Sequence, residues 1–307
     1  MLLGITGGFI MVAVIFHIDH SPPPQTTLSA NLFPNGTLDL TLTNPSDNFA
    51  DIVPDHGKLL HLFLIRQPQE DVFLHLHPKQ LSSGHFAVQL PAMPPGTYRL
   101  FADYYMAPAG NLKDARGETP TITLDLPAQF HPSVAPDPDD SIAVLPPANA
   151  GTPDSAVQMT IAGPVDPGGL LAYTAHLPDG YTLTLLAPGG ITPQQANLFH
   201  VALRDPSGHP PADMALYLGM PAHAVVLRDD NSVFAHIHPG GTLPMLTPAA
   251  SSSMPMDMSM PMDMPMPAAS NTATIPYGFP SAGRYRLFIQ MKHGSIVETA
   301  AFDIDVN

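Results

Sequence analysis

The chain has 307 residues, of which 44% are apolar and only 12% charged, with 38 prolines, no cysteine and a formal net charge of −15. Such a length holds two domains of ordinary size with packed cores. The acidity argues against nucleic acid, whose binders carry Lys/Arg footprints; the absence of cysteine excludes disulfides, Cys-type zinc sites and a thiol nucleophile; and so many prolines exclude long helices.

The chain opens on an almost wholly apolar run, Met1 to Phe16, followed by His17, Asp19, His20 and Pro22-Pro23-Pro24. Residues 1–24 resemble the apolar core of a signal peptide or a short membrane anchor. The run falls short of the roughly 20 residues that span a bilayer. It also lacks a positive n-region, since the first basic residue is Lys58; a start placed too far downstream would account for that. The alternative is a buried helix of the first domain. The expectation is export, periplasmic or membrane-anchored, with membrane contact through this segment only.

From about Thr26 the pattern becomes strand-like. LSANLF leads through the turn dipeptide Asn35-Gly36 into TLDLTLT, where Leu38, Leu40 and Leu42 alternate with polar residues. That period of two predicts a strand with one buried face. LLHLFLIR, VFLHLH, HFAVQL, GTYRLFADYY and TITLDL follow, separated by short Pro/Gly/Asp/Ser gaps. Strands at this spacing predict an antiparallel sandwich over residues 25–127. Residues 128–157 are rich in Pro, Ala and Asp and read as a semi-extended linker. A second sandwich over 158–307 is predicted from VQMTIAG, YTLTLL, LFHVALRD, HAVVLR, VFAHIH, GRYRLFIQMK and VETAAFDIDV.

The two halves repeat one another. Gly57 to Pro78 (GKLLHLFLIRQPQEDVFLHLHP) and Gly219 to Pro239 (GMPAHAVVLRDDNSVFAHIHP) share Gly-x-x-x-His, an apolar run ending in Arg, and Val-Phe-x-His-x-His-Pro. His61, His75 and His77 thus match His223, His236 and His238. The Gly-x-Tyr-Arg-Leu-Phe strings at Gly96 and Gly283 match as well. A whole domain is duplicated rather than a local motif; solenoid repeats are shorter and need at least three copies.

Imidazole is the commonest protein ligand for transition metals. His75 and His77, two apart on a strand, project from one face, and His61 on the preceding run can reach the same ion across the hairpin. His223, His236 and His238 repeat that arrangement. His56 matches Leu218 and is an extra ligand in one half only. The competing reading is that these histidines are fold residues that merely pack and hydrogen-bond. One site or two is left open by the pattern. Asp103 and Gln290, at matching positions on the returning strand, are the only polar neighbours, and their mismatch argues against a shared reaction. No general-base carboxylate stands at a recognisable spacing, so the expectation is a binding protein and not an enzyme.

The halves differ between His-x-His-Pro and the returning strand. The first has a short connection through Lys79 to Gly84; the second has a Met-rich loop over 251–270 carrying Met254, Met256, Met258, Met260, Met262, Met264 and Met266. Pro and Asp spacers forbid a helical stripe or an ordered strand, so exposure is expected. Exposed thioethers suit Cu(I), whereas imidazoles suit Cu(II) or Zn(II). Both in one chain point to copper. Low-complexity drift or a sticky surface for an envelope protein partner are the alternatives.

The strings PDHGKLLHLFLI…VFLHLHP and LYLGMPAHAVVL…VFAHIHP, each followed by G-x-Y-R-L-F, resemble a family of little-characterised exported bacterial proteins associated with heavy metals or copper, built from duplicated immunoglobulin-like domains. The resemblance covers most of residues 28–307 outside the linker and the Met-rich loop, which is itself similar to those of periplasmic copper-resistance carriers. It implies an all-β fold of two tandem immunoglobulin-like, cupredoxin- or copper-carrier-like sandwiches, and a periplasmic or surface location. The chain departs from those carriers in lacking their N-terminal histidine. It also lacks the Cys/His/Met set of a blue-copper site, which argues against electron transfer.

Overall fold

Among the described residues, short apolar alternations cut by Pro and Gly become twenty strands, and the only helical turns are the 3-10 turns Pro108–Gly110 and Leu112–Asp114. The computed structural model describes residues 26–44, 49–128, 130, 137–148, 169–239 and 269–307. The N-terminal apolar segment, the predicted strand VQMTIAG and all seven methionines of the Met-rich loop lie outside the described residues. No helix among the described residues is long and apolar enough to cross a membrane.

The first half contains β1 (Thr27–Leu32), β2 (Thr37–Thr43), β3 (Ile52–Val53), β4 (His61–Gln67), β5 (Val72–Leu76), β6 (Lys79–Ser82), β7 (His85–Gln89), β8 (Gly96–Met106), β9 (Arg116–Glu118), β10 (Thr121–Leu126) and β11 (Ser141–Val144). They form a small sheet, β1-β2-β7-β6, and a larger one, β10-β8-β4-β5-β11, with β3 and β9 against β8. As the alternation predicts, Leu38, Leu40 and Leu42 turn inward from β2 and meet Leu62, Leu64 and Leu74 of the larger sheet. Tyr98 anchors the corner before β8 by donating from its hydroxyl to the Pro94 carbonyl at 2.6 Å; Tyr285 does the same to Ser281 at 2.8 Å in the second half. Such a tyrosine corner is a mark of immunoglobulin-like sandwiches.

The second half contains β12 (Leu170–His176), β13 (Thr182–Pro188), β14 (Asn197–Arg204), β15 (Met214–Ala215), β16 (His223–Arg228), β17 (Phe234–Ile237), β18 (Thr272–Tyr277), β19 (Gly283–His293) and β20 (Ile296–Val306). Its sheets are β12-β13-β14-β18 and β15-β19-β16-β17, with β20 also on β19. The chain is therefore all-β, two antiparallel sandwiches in tandem.

Two expected connections are strands instead. The predicted linker 128–157 carries β11, whose Ser141 and Val144 stand opposite His75 and Val72 of β5. Four residues bracketed by prolines are too short to show a period, but β5 offers an open edge whose backbone groups need partners. The connection from Lys79 to Gly84 likewise holds β6, which pairs with β7 through an irregular register; all four of its residues are exposed, so it has no apolar alternation to read.

The halves do not hang as separate beads. The outer faces of the two larger sheets stack on one another through Phe63, Ile65, Phe73 and Phe101 from the first half and Val225, Leu227, Phe288 and Ala301 from the second. Phe73 stacks on Phe288 with ring centroids 4.5 Å apart, and Phe101 on Phe234 at 4.2 Å. Since Phe73 matches Phe234 and Phe101 matches Phe288, these are one contact made twice about a pseudo-two-fold axis. It is the isologous geometry of a symmetric dimer within one chain. Strands β4 and β5 are consequently buried on both faces. Burying such rings stabilises by a few kcal/mol each. Phe101→Ala should cost about 3–5 kcal/mol in chemical denaturation, whereas Leu198→Ala, on a side chain 52% exposed, should stay within about 0.5 kcal/mol.

Candidate metal centre

The same stacking that joins the aromatic rings gathers the histidines. Just beyond Phe63 and Phe73, the inter-sheet layer changes from phenyl to imidazole. His61 opens β4, His75 stands on β5, and His77 follows it before Pro78. His223 opens β16, His236 stands on β17, and His238 follows it before Pro239. Ring centroids across the halves are close: 5.0 Å for His61–His236, 5.5 Å for His75–His236 and 6.1 Å for His75–His223. The two sets that repeat in sequence thus converge on one place.

His56 joins them by way of a tight turn. Asp55-His56-Gly57-Lys58 and Tyr217-Leu218-Gly219-Met220 are matching turns, each closed by a pair of backbone hydrogen bonds of 2.8–3.0 Å. Both central residues have positive φ, 51° and 79° in the first and 50° and 80° in the second. That is the type I′ geometry, for which glycine at the second position is the natural choice. The turns meet across the pseudo-two-fold, where His56 Nδ1 donates to the Leu218 carbonyl at 3.2 Å.

The hydrogen bonds fix the tautomers. His75 Nδ1 donates to Gln290 Oε1 at 3.0 Å, an orientation set by the Gln290 amide, whose Nε2 donates to Ser141 Oγ and Thr299 Oγ1. His236 Nδ1 donates to Asp103 Oδ2 at 3.1 Å. These are again one contact made twice, each half orienting the other's histidine. His77 Nδ1 donates to Asp140 Oδ1 at 3.1 Å, and His61 Nε2 to the Asp55 carbonyl at 3.1 Å. Every outward partner is an acceptor, so in each ring the opposite nitrogen carries a lone pair.

In the first half those lone pairs face one another: His61 Nδ1 lies 3.0 Å from His75 Nε2, and His77 Nε2 lies 3.2 Å from His75 Nε2. In the second half His238 Nε2 lies 3.2 Å from His236 Nε2. Neither nitrogen of His223 has a hydrogen-bond partner among the described residues, although the residue is buried. Desolvation by burial, and then the neighbouring imidazoles, hold His61, His75 and His223 well below the usual histidine range. The same causes push His56 down to about 4. His77 is lowered by burial despite the Asp140 carboxylate. These rings are therefore neutral near pH 7 and available as ligands. Opposed lone pairs in a low-dielectric interior repel unless a cation stands between them. Nitrogens about 2.0–2.1 Å from a tetrahedral ion are spaced by roughly 3.3 Å, close to the spacing seen. The ring nitrogens fall into two cross-half groups whose donor atoms all lie within 4.8 Å of one another: His61, His75 and His236, and His56, His223 and His238.

All seven histidines singled out in the sequence meet here; the methionines lie outside the described residues. Several functional side chains were not identified from the sequence. Asp55 forms a further group with His236 and His238, Asp140 and Ser141 come from the predicted linker, and Tyr217 donates to the Asp139 carbonyl and approaches His75 Nδ1 at 3.3 Å. Asp103 and Gln290 stand beside the histidines as expected, and their mismatch is one of orienting partner. The acidic string PDPDD, which contains Asp139 and Asp140, was the one visible signal for the linker's role. A separate group, Asp179, His293 and Glu298, is satisfied by itself: His293 is bonded to Glu298 at 3.2 Å and Asp213 at 3.4 Å, and its ring stacks on Tyr181.

Partners that orient a ligating histidine are worth about 10–100-fold in metal affinity. Asp103→Ala and Asp140→Ala should each weaken divalent-ion binding by that order in a competitive chelator titration. Asp39→Ala, on the carboxylate that meets the partly exposed His85 on the outer sheet, should leave it unchanged.

No curated protein matches the chain. One family model does, over residues 24–115 and 174–307, so that both copies of the histidine block and both returning strands fall inside it while the inserted segment around β11 does not. Because that match covers most of the chain and both halves of the duplication, the chain belongs to the family described as Domain of unknown function (DUF8832).

Proposed function

We propose that this is an exported copper-binding protein, a carrier and not an enzyme, which captures the metal in the periplasm or at the cell envelope. One observation carries the metal reading: the buried imidazoles of His61, His75 and His77 present lone pairs to each other at 3.0–3.2 Å while their outer partners are all acceptors. Residues that served only to pack would place donors against acceptors, because buried polar groups are costly when unmatched. His61, His75, His77, His223, His236 and His238 would hold the ion, with His56 completing the set from the first half.

Copper is favoured over zinc by the rest of the sequence. The segment with Met254 to Met266 follows His238 in the same connection before the returning strand and offers thioethers, which select Cu(I). Imidazoles accept Cu(II), so one chain carries ligands for both oxidation states. The site's burial suits holding more than rapid exchange, and leaves collection or passing-on to the methionines. Export is supported by the apolar run Met1 to Phe16. The other reading is an envelope-anchored interaction module that meets a protein partner and has no metal role.

Copper titration separates the two. The chain should bind Cu(II) stoichiometrically, and replacing His75 and His77, or His236 and His238, by Ala should abolish that binding. Deleting Met254 to Met266 should remove a share of the Cu(I) and spare the Cu(II). Unchanged copper in both His double variants would discard the histidine part, and no copper above background in the intact chain would leave the interaction module.

A further inference from the structure

Counting donors against what one ion can accept leads beyond a single metal. Seven histidines crowd the interface, yet a nitrogen-ligated ion of this class takes about four ligands. The two groups described above share no residue, and each draws on both halves: His61 and His75 with His236, and His223 and His238 with His56. They also touch, because His236 of one and His238 of the other stand 3.2 Å apart through their Nε2 atoms.

Charge points the same way. Three carboxylates are buried around the imidazoles. The side chains of Asp55, Asp140 and Asp103 are 2%, 3% and 10% exposed. The cations nearby are engaged at the rim, as in the pair of Lys58 with Asp139 at 2.7 Å. Anions collected in a low-dielectric site call for cations to match, and a single ion leaves the set short of positive charge.

Asp55 occupies a telling position. Its carboxylate groups with His236 and His238, one residue from each triad, and approaches His56 Nε2 at 3.5 Å. Tyr217 fills the matching place in the other half, so only one bridging carboxylate is supplied.

We infer that the interface is a two-ion centre, with one metal in each cross-half triad and the Asp55 carboxylate between them. This rests on the metal reading given above and is tested apart from it. Full-length protein, stripped with a chelator, is titrated with Co(II), which thioethers hold poorly, against a weak competing chelator that clears lone surface imidazoles. Two equivalents per chain are expected. The Cu(II)-loaded protein should show integrated paramagnetic intensity well below two spins per chain, because ions bridged by a carboxylate couple. His56→Leu installs the residue that the matching turn already carries as Leu218 at φ 50°, so the turn tolerates it. That variant should bind one equivalent, and its copper form should give one full uncoupled spin. Asp55→Asn should restore intensity toward two full spins wherever two ions still bind. One equivalent in the intact protein overturns the two-ion assignment, and two in His56→Leu overturns the placing of one ion in the His56 triad; either leaves metal binding standing. Two bound copper ions with full spin intensity in the intact protein overturn the bridge. No Co(II) at all overturns both.

Discussion

Placing imidazoles between two apolar sheets is the constraint that the rest of the molecule answers to. A buried ring must stay neutral, and each of its nitrogens then needs a partner of a definite kind. The structure answers at one nitrogen with Gln290, Asp103, Asp140 and two backbone carbonyls. The other nitrogen meets a further imidazole in His61, His75 and His77, and the Asp55 carboxylate at 3.5 Å in His56. Much of the chain around the centre follows from holding that arrangement. The type I′ turns bring Asp55 and His56 to the axis, β11 brings Asp140 and Ser141, and the long returning strands bring Asp103 and Gln290.

The phenyl layer makes the imidazole layer possible. Phe73 on Phe288 and Phe101 on Phe234 fix the separation of the two larger sheets. They exclude water from one side of the histidines and set the register of the halves. An apolar wall of this kind strengthens electrostatic interactions within the site and lowers the basicity of buried rings such as His61, His75 and His223. For the proposed metal centre, such a wall would present the ligands in place instead of leaving them to be gathered by the ion. Such preorganisation cuts the ordering cost of binding.

Much of this was legible in the sequence, for reasons that can be named. Leu38, Leu40 and Leu42 declare a half-buried strand because one face of β2 meets solvent. Val72 to Leu76 gives no such alternation, since both of its faces are buried, yet the duplication identified it through the histidines. What stayed hidden was the relation between the halves. Phe63 and Phe73 read as ordinary core, and nothing local distinguishes a residue facing its own sandwich from one facing the neighbour. The same blindness left one site or two undecided, and let β11 pass as linker. Ser141 to Val144 is a strand only because β5 presents an edge to it. Its carboxylate neighbour Asp140 acquires a role only once His77 is in place. Asp55 gave no such signal because it precedes the histidine block and its counterpart in the second half, Tyr217, is not a carboxylate.

The differences between the halves are concentrated where chemistry would put them. Framework positions repeat closely: Tyr98 with Tyr285, Phe101 with Phe288, Phe73 with Phe234, and each His-x-His-Pro with the other. Around the centre the matches break down into Asp55 with Tyr217, His56 with Leu218, and Asp103 with Gln290. Packing alone gives no reason for this, because the two turns share their dihedrals and the two orienting contacts share their geometry. A symmetric centre would offer equal environments on both sides of the axis. Here one side gains a carboxylate and an extra imidazole, and the other a phenol and an alkyl chain. The two candidate groups, each drawn from both halves, are thereby given unequal surroundings on one duplicated scaffold. Fusing the halves into one chain is what allows that inequality, since identical subunits about a true two-fold could not differ.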